Sequence, residues 1–258
     1  MNRLIRLFRT SIGRKLVVAV TGLLLLGFLL AHLLGNLTIL QGPDAMNAYA
    51  AWLQGHPLIW IARAALLLIF VAHTLTAVGL ALENRSARPI RYRRHAMLEA
   101  GLDSRSILLT GLVVLAFLVY HLLHFTFGVV DAEHTHLLDE RGRRDVYHMV
   151  THGFRDPWIA GSYLLAMMFL GVHLIHGAKS MFQTLGINHE SYNGLIRIGA
   201  TTVVAALILG NVSIPLLVLG GAVRSPETAT ARLGEERGIG SLPANPATGG
   251  ERHREGGS

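Results

Sequence analysis

The chain has 258 residues, 51% hydrophobic and 15% charged, with a net charge of +7 and a mean hydropathy of +0.43. That balance excludes an ordinary soluble domain and marks a membrane protein. Cysteine is absent, which excludes disulfides, thiolate-ligated haem and any iron–sulfur cluster held by the chain's own thiolates.

Five stretches reach the roughly 20 apolar residues that a hydrocarbon core requires. They run over 16–40, 57–82, 106–130, 157–178 and 198–223, and the only charge among them is Arg63. Each exceeds strand length, and only helices or closed barrels satisfy their backbone in lipid. The expectation is an all-α integral membrane bundle of five transmembrane helices over 1–223. The first run is too long for a signal-peptide core, so it is read as a true span. Pro215 is expected to kink the fifth. A short interfacial helix is expected over about 144–154. Residues 224–258 are rich in Gly, Pro, Glu and Arg and are expected to be disordered. No internal repeat stands out.

The basic residues flank apolar segments, a topology signal and not a nucleic-acid signature. The N-terminal arm carries Arg3, Arg6, Arg9, Arg14 and Lys15, and the second loop carries Arg85, Arg88, Arg91, Arg93, Arg94 and Arg105. The first loop, Gln41 to His56, carries none. The N-terminus and second loop are therefore expected in the cytoplasm. Arg141, Arg143, Arg144 and Arg155 in the third loop run against this, but they alternate with acids.

Four spans hold one deep histidine each: His32, His73, His121 and His173. An imidazole in lipid is costly and marks function by default. Each lies 15 or 16 residues into its span, about 24 Å at 1.5 Å per residue. Alternate helices run in opposite directions. His32 and His121 therefore fall in the outer half, and His73 and His173 in the inner half. Two bis-histidine pairs at two depths suit two b-type haems about 13 Å apart across a span of roughly 35 Å. The weaker reading is four separate interhelical hydrogen-bonding groups.

His124 and His176 follow His121 and His173 by three residues and face nearly the same side of a regular helix. By spacing alone either member could be the ligand. His121 and His173 are assigned as ligands, with His124 and His176 as propionate or quinone-site neighbours, because the later ones sit nearer the surface. Arg63 could pair with a propionate of the outer haem or simply snorkel. His134, His136, His148 and His152 in the third loop are expected to be solvated, with a metal role the less favoured reading. No Asp or Glu lies in a span, which argues against a buried carboxylate relay.

At these residues the chain resembles the single-chain, five-helix, di-haem cytochrome b subunit of succinate:quinone oxidoreductases, from about Ser11 to Val223. The likeness is carried by Ser-Ile-Gly-Arg-Lys and Thr-Gly-Leu (11–15, 21–23), Ala-His-Leu-Leu-Gly-Asn-Leu (31–37) and Glu-Asn-Arg-Ser-Ala-Arg-Pro-Ile-Arg-Tyr (83–92). Tyr-His-Leu-Leu-His-Phe-Thr (120–126) and the run from His173 to Gly186 add to it. The resemblance implies an inner haem on His73 and His173 and an outer haem on His32 and His121. The spacing to Gly177 and Gly186 fits His173 and not His176.

The resemblance also implies a membrane anchor of succinate dehydrogenase in a bacterial inner membrane. A flavoprotein subunit and an iron–sulfur subunit would dock on the cytoplasmic face, on 83–105, the N-terminal arm and the loop after Gly177. Electrons would reach a quinone, with menaquinone the expected species. Some relatives carry carboxylates near the outer haem, and here no acid occurs between Asp44 and Glu83. The family's quinone chemistry therefore maps to no named residue. Rival readings are a quinol:fumarate reductase anchor, the haem-b subunit of a hydrogenase or formate dehydrogenase, and a non-redox membrane protein.

Overall fold

The computed structural model describes residues 10–86, 100–187 and 189–224, without the side chains of 100–106. The N-terminal arm before residue 10, the arginines of 87–99 and the tail expected to be disordered lie outside the described residues. Among those described, helices account for all the regular structure apart from one isolated bridge, Leu138 with Arg144. Five helices are long and apolar enough to cross a membrane, and the chain is a multi-pass all-α bundle.

The first span is α1 (Ser11–Asn36), extended by a 3-10 turn over Leu37–Gln41. A helix absent from the sequence reading follows, α2 (Pro43–Gly55). The next are α3 (Ile59–Ser86) and α4 (Ala100–His121), then two short helices, α5 (Ala132–Thr135) and α6 (Val146–Gly153). The last spans are α7 (Pro157–Thr184) and α8 (Glu190–Leu219). Within 144–154, where a short helix is expected, lies α6.

Local chemistry sets the ends. Thr10 caps α1 by accepting from the Gly13 N–H, and Asp156 caps α7 by accepting from Trp158 and Ile159. Pro157 and Pro43 occupy first turns, where a missing N–H costs nothing. The third span stops at Thr126 and not 130, because Gly128 turns the chain at φ +67°. α8 continues through Pro215 to Leu219. The nearby Ser213 hydroxyl and Asn211 amide bond the Gly210 and Leu207 carbonyls.

α7 is the hub of the bundle. It packs against α1, α4 and α8, while α3 rests mainly on α1. Close approaches use glycine. A Cβ at Gly210 of α8 would lie 2.8 Å from Leu33 of α1, and one at Gly35 would lie 2.6 Å from the Tyr49 ring of α2. At the end where α3 finishes, Arg14 of α1 forms a two-point ion pair with Glu83 of α3, one arm 2.6 Å long.

The opposite end is closed by a polar clasp. Asn47 of α2, 1% exposed, donates to Asp145 (2.9 Å) and accepts from the Tyr147 N–H (2.9 Å). Asp145 in turn caps α6 through the His148 N–H. Asp44 of α2 pairs with Arg141 and Arg143, and Asp139 accepts from the backbone and guanidinium of Arg143.

Two predictions follow from this clasp. Asn47→Ala should destabilise the fold by about 1–3 kcal/mol, because it leaves buried partners unsatisfied. Unfolding in detergent checks this, and a loss under about 0.5 kcal/mol would contradict it. The hydrogen bond from Arg143 holds the Asp139 carboxyl down at about 2, and Asp44 is lowered by the same guanidinium. A carboxylate depressed by folding stabilises above its unfolded value of about 3.9 and loses that contribution as pH falls through its folded value. Hydrogen exchange at the Arg141 and Arg143 amides should stay slow at pH 4 and accelerate towards pH ~2, and Arg143→Gln should move that transition upward.

Candidate functional site

Among the described residues, a cavity of about 3620 Å³ lies between α1, α3, α4 and α7. Its walls are mostly apolar, and His32, His73, His121 and His173 all line it. Each of the four rings is half-buried.

The rings gather in two groups. His32 of α1 and His121 of α4 lie edge to face with centroids 5.9 Å apart. His73 of α3 and His173 of α7 line the same cavity, each held by a threonine of a neighbouring helix. Depth and alternating helix direction lead to the expectation of His32 with His121 and His73 with His173.

The His73 and His173 rings are held in the same way. The His73 Nδ1 meets the Thr21 hydroxyl of α1 at 3.1 Å, and the His173 Nδ1 meets the Thr110 hydroxyl of α4 at 3.4 Å. Each threonine spends its own proton on a carbonyl of its helix, at Val17 (2.6 Å) and Ile107 (3.2 Å). The hydroxyls therefore accept, which assigns the imidazole proton to Nδ1 and leaves the Nε2 lone pair as the ligating group. The next residue in each case is glycine. A Cβ at Gly22 would lie 3.3 Å from the His73 Cε1, and one at Gly111 would lie 3.2 Å from the His173 Cε1. The small residue lets the ring sit directly against the neighbouring backbone.

A short internal repeat was missed in the sequence. Thr21-Gly22 precedes His32 by the same interval that separates Thr110-Gly111 from His121, eleven residues from threonine to histidine. Each of α1 and α4 therefore supplies a shelf for one histidine level and a ring for the other. Eleven residues of helix place the two levels about 16 Å apart.

Backbone geometry places His121 and His124 differently. A π-turn, Leu122–Thr126, begins directly after His121, with the Phe127 N–H bonded to the Leu122 carbonyl at 2.8 Å. The wider turn breaks the regular three-residue spacing. His121 lines the cavity and His124 does not. His124 is 1% exposed, stacked on Phe125 and seated under Gly153 of α6. His124, expected as a propionate or quinone-site neighbour, thus lies outside the cavity lining. His176 also lies outside the cavity lining, whereas His173 lies within it.

Tyr163 of α7 links the two α4 histidines. Its hydroxyl lies 3.4 Å from the His121 Nδ1 and 3.0 Å from the His124 Nδ1. If His121 is to keep Nε2 free, its Nδ1–H donates to Tyr163, whose hydroxyl can donate to the His124 Nδ1 or accept from it. The His124 Nε2 is buried without a hydrogen-bond partner. Nothing in the sequence pattern singles out Tyr163, because an aromatic in an apolar run reads as packing.

Arg63 lines the cavity near the start of α3, its guanidinium 4.9 Å from the Trp60 ring centre. Arg144, read from the sequence only as one of the third-loop arginines, lines the same cavity. It is fixed by the carbonyls of Thr135 (3.0 Å) and Phe125 (3.3 Å), and burial, with Arg63 nearby, pulls it below its ordinary value. Two cations thus share the cavity end nearest His32 and His121. Comparisons with family models, curated proteins and solved structures found no match to this chain.

Proposed function

We propose that this chain is the membrane-anchor cytochrome b subunit of a succinate dehydrogenase, carrying electrons from an iron–sulfur subunit through two b haems to a membrane quinone. The observation that carries the reading is the arrangement of four cavity-lining histidines as two cross-helix pairs at two depths. The partners, the menaquinone preference and the cytoplasmic docking of the hydrophilic subunits rest on the family resemblance.

The residues fit such a group. Two metal–imidazole bonds of about 2.0–2.1 Å, with the ring radii added, place centroids about 6 Å apart. His32 and His121 stand 5.9 Å apart. The cavity exceeds the roughly 300–1,000 Å³ of a single small-molecule site several-fold, as two tetrapyrroles would need. α3 buries no residue in its apolar window, so its inward face is available to a cofactor. His73 with His173 would hold the inner iron, and His32 with His121 the outer iron. Bound haem supplies reversible one-electron transfer. Thr21 and Thr110 fix the tautomer and rotation of the inner imidazoles, and Tyr163 does so for His121. Arg63 and Arg144 would neutralise propionates at the outer level.

The pairing generates its own test. His73→Ala and His173→Ala should each remove the same haem, and His32→Ala and His121→Ala the other, while His176→Ala and His124→Ala retain both. Optical and EPR spectra of purified variants check this. Loss of a haem in His176→Ala but not in His173→Ala would overturn the fourth-span assignment. Succinate:quinone reductase activity copurifying with the chain supports the complex. Copurification with a hydrogenase or formate dehydrogenase instead would refute it.

Tyr163→Phe should raise the midpoint potential of the outer haem by about 20–60 mV and leave the inner one unchanged. One lost hydrogen bond of about 0.5–1.5 kcal/mol makes the His121 imidazole less electron-rich. Redox titration reads both values.

A further inference from the structure

The loop between α4 and α7 carries a second histidine cluster, distinct from the cavity. Asp131 precedes the short helix α5, His134 lies within α5, and His152 lies in the last turn of α6. The fold brings them together across 21 residues of chain, from Asp131 to His152. One oxygen of Asp131 lies 2.8 Å from the His134 Nδ1, and the other lies 3.1 Å from the His152 Nδ1. The two imidazoles stack nearly parallel, with centroids 3.5 Å apart and 17° between planes, and His148 is the next ring in the stack.

We propose that Asp131, His134 and His152 form a binding site for one divalent transition-metal ion of the zinc and copper class. Three potential ligand atoms, one from each residue, already lie within 4.8 Å of one another. Tetrahedral zinc with bonds of about 2.0–2.1 Å needs its ligand atoms about 3.3 Å apart, so closure requires the two stacked rings to fan open until both nitrogens face one ion. Two imidazoles and one carboxylate match that class of ion and leave a coordination position for water.

The surroundings favour a built site. Side-chain exposures of 19% for Asp131, 25% for His134 and 38% for His152 give the ion a route in while keeping the ligands anchored. Among the described residues, no Arg or Lys pairs with Asp131; both of its ion-pair partners are histidines. The turn is braced by the Thr135 hydroxyl on the Asp131 carbonyl and by Arg144 on the Thr135 carbonyl. An ion here would tie α5 to α6 over the end of the bundle. It shares no residue with the haem reading, and the two fail separately.

The test uses the full chain in detergent, without a polyhistidine tag and stripped with a chelator. Zinc titration calorimetry should show one saturable site. Pulsed EPR of a single bound Cu²⁺ should count two imidazoles, a readout that needs no variant. His134→Ala and His152→Ala should each reduce that count to one, and each of these, like Asp131→Asn, should weaken zinc by about tenfold or more. His136→Ala should change neither. Absence of a one-ion site, a wild-type copper spectrum without two imidazoles, or unchanged zinc affinity in both histidine variants would overturn the proposal.

Discussion

The bundle depends on how an imidazole is held inside an apolar helix packing. A ring with two nitrogens cannot be left to find its own partner in lipid, because an unsatisfied polar group there is costly. Thr21 and Thr110 meet that demand across the helix–helix gap by accepting one N–H each. Each hydroxyl is itself locked by a carbonyl of its own helix, so the direction of the bond is fixed. One nitrogen of each ring is satisfied by protein, and the other is presented with a lone pair. The glycine beside each threonine supplies the space, and the same dipeptide therefore does two things at once.

This constraint also orders the helices. The α1–α3 and α4–α7 contacts each carry a threonine–histidine bond, and α1 and α4 each return a histidine to the other level. α7, which touches most of the bundle, also provides Tyr163, the hydroxyl that orients His121. The π-turn after His121 is the compensating irregularity. It lets His121 face the cavity while His124 turns under Gly153 to complete the tyrosine bridge.

Much of the fold was legible because a bilayer leaves few options. Five long apolar runs, charged only at Arg63, had to be helices, and their lengths placed four histidines at matching depths. Helix ends were less legible. α7 runs to Thr184, six residues past the apolar limit at Ala178, because Lys179, Ser180 and Gln183 need not leave a helix when they reach the interface. α2 was missed because its thirteen residues are too short for a span and its apolar pattern is weak. At the site, hydropathy could locate histidines but could not separate His121 from His124, since a regular helix puts both on one side. Only a π-turn breaks that tie, and Leu122–Thr126 carries no proline or glycine to announce it. The Thr-Gly shelves were readable in principle, as a dipeptide recurring eleven residues before a histidine.

The central claim is that the two histidine pairs hold two b haems. Pyridine haemochrome quantitation on the purified chain, with a reduced-minus-oxidised spectrum, tests it most directly. The account predicts two b haems per chain, both with low-spin bis-imidazole spectra. A chain that is folded and free of haem, or one that binds a single haem unaffected by loss of either pair, would contradict it.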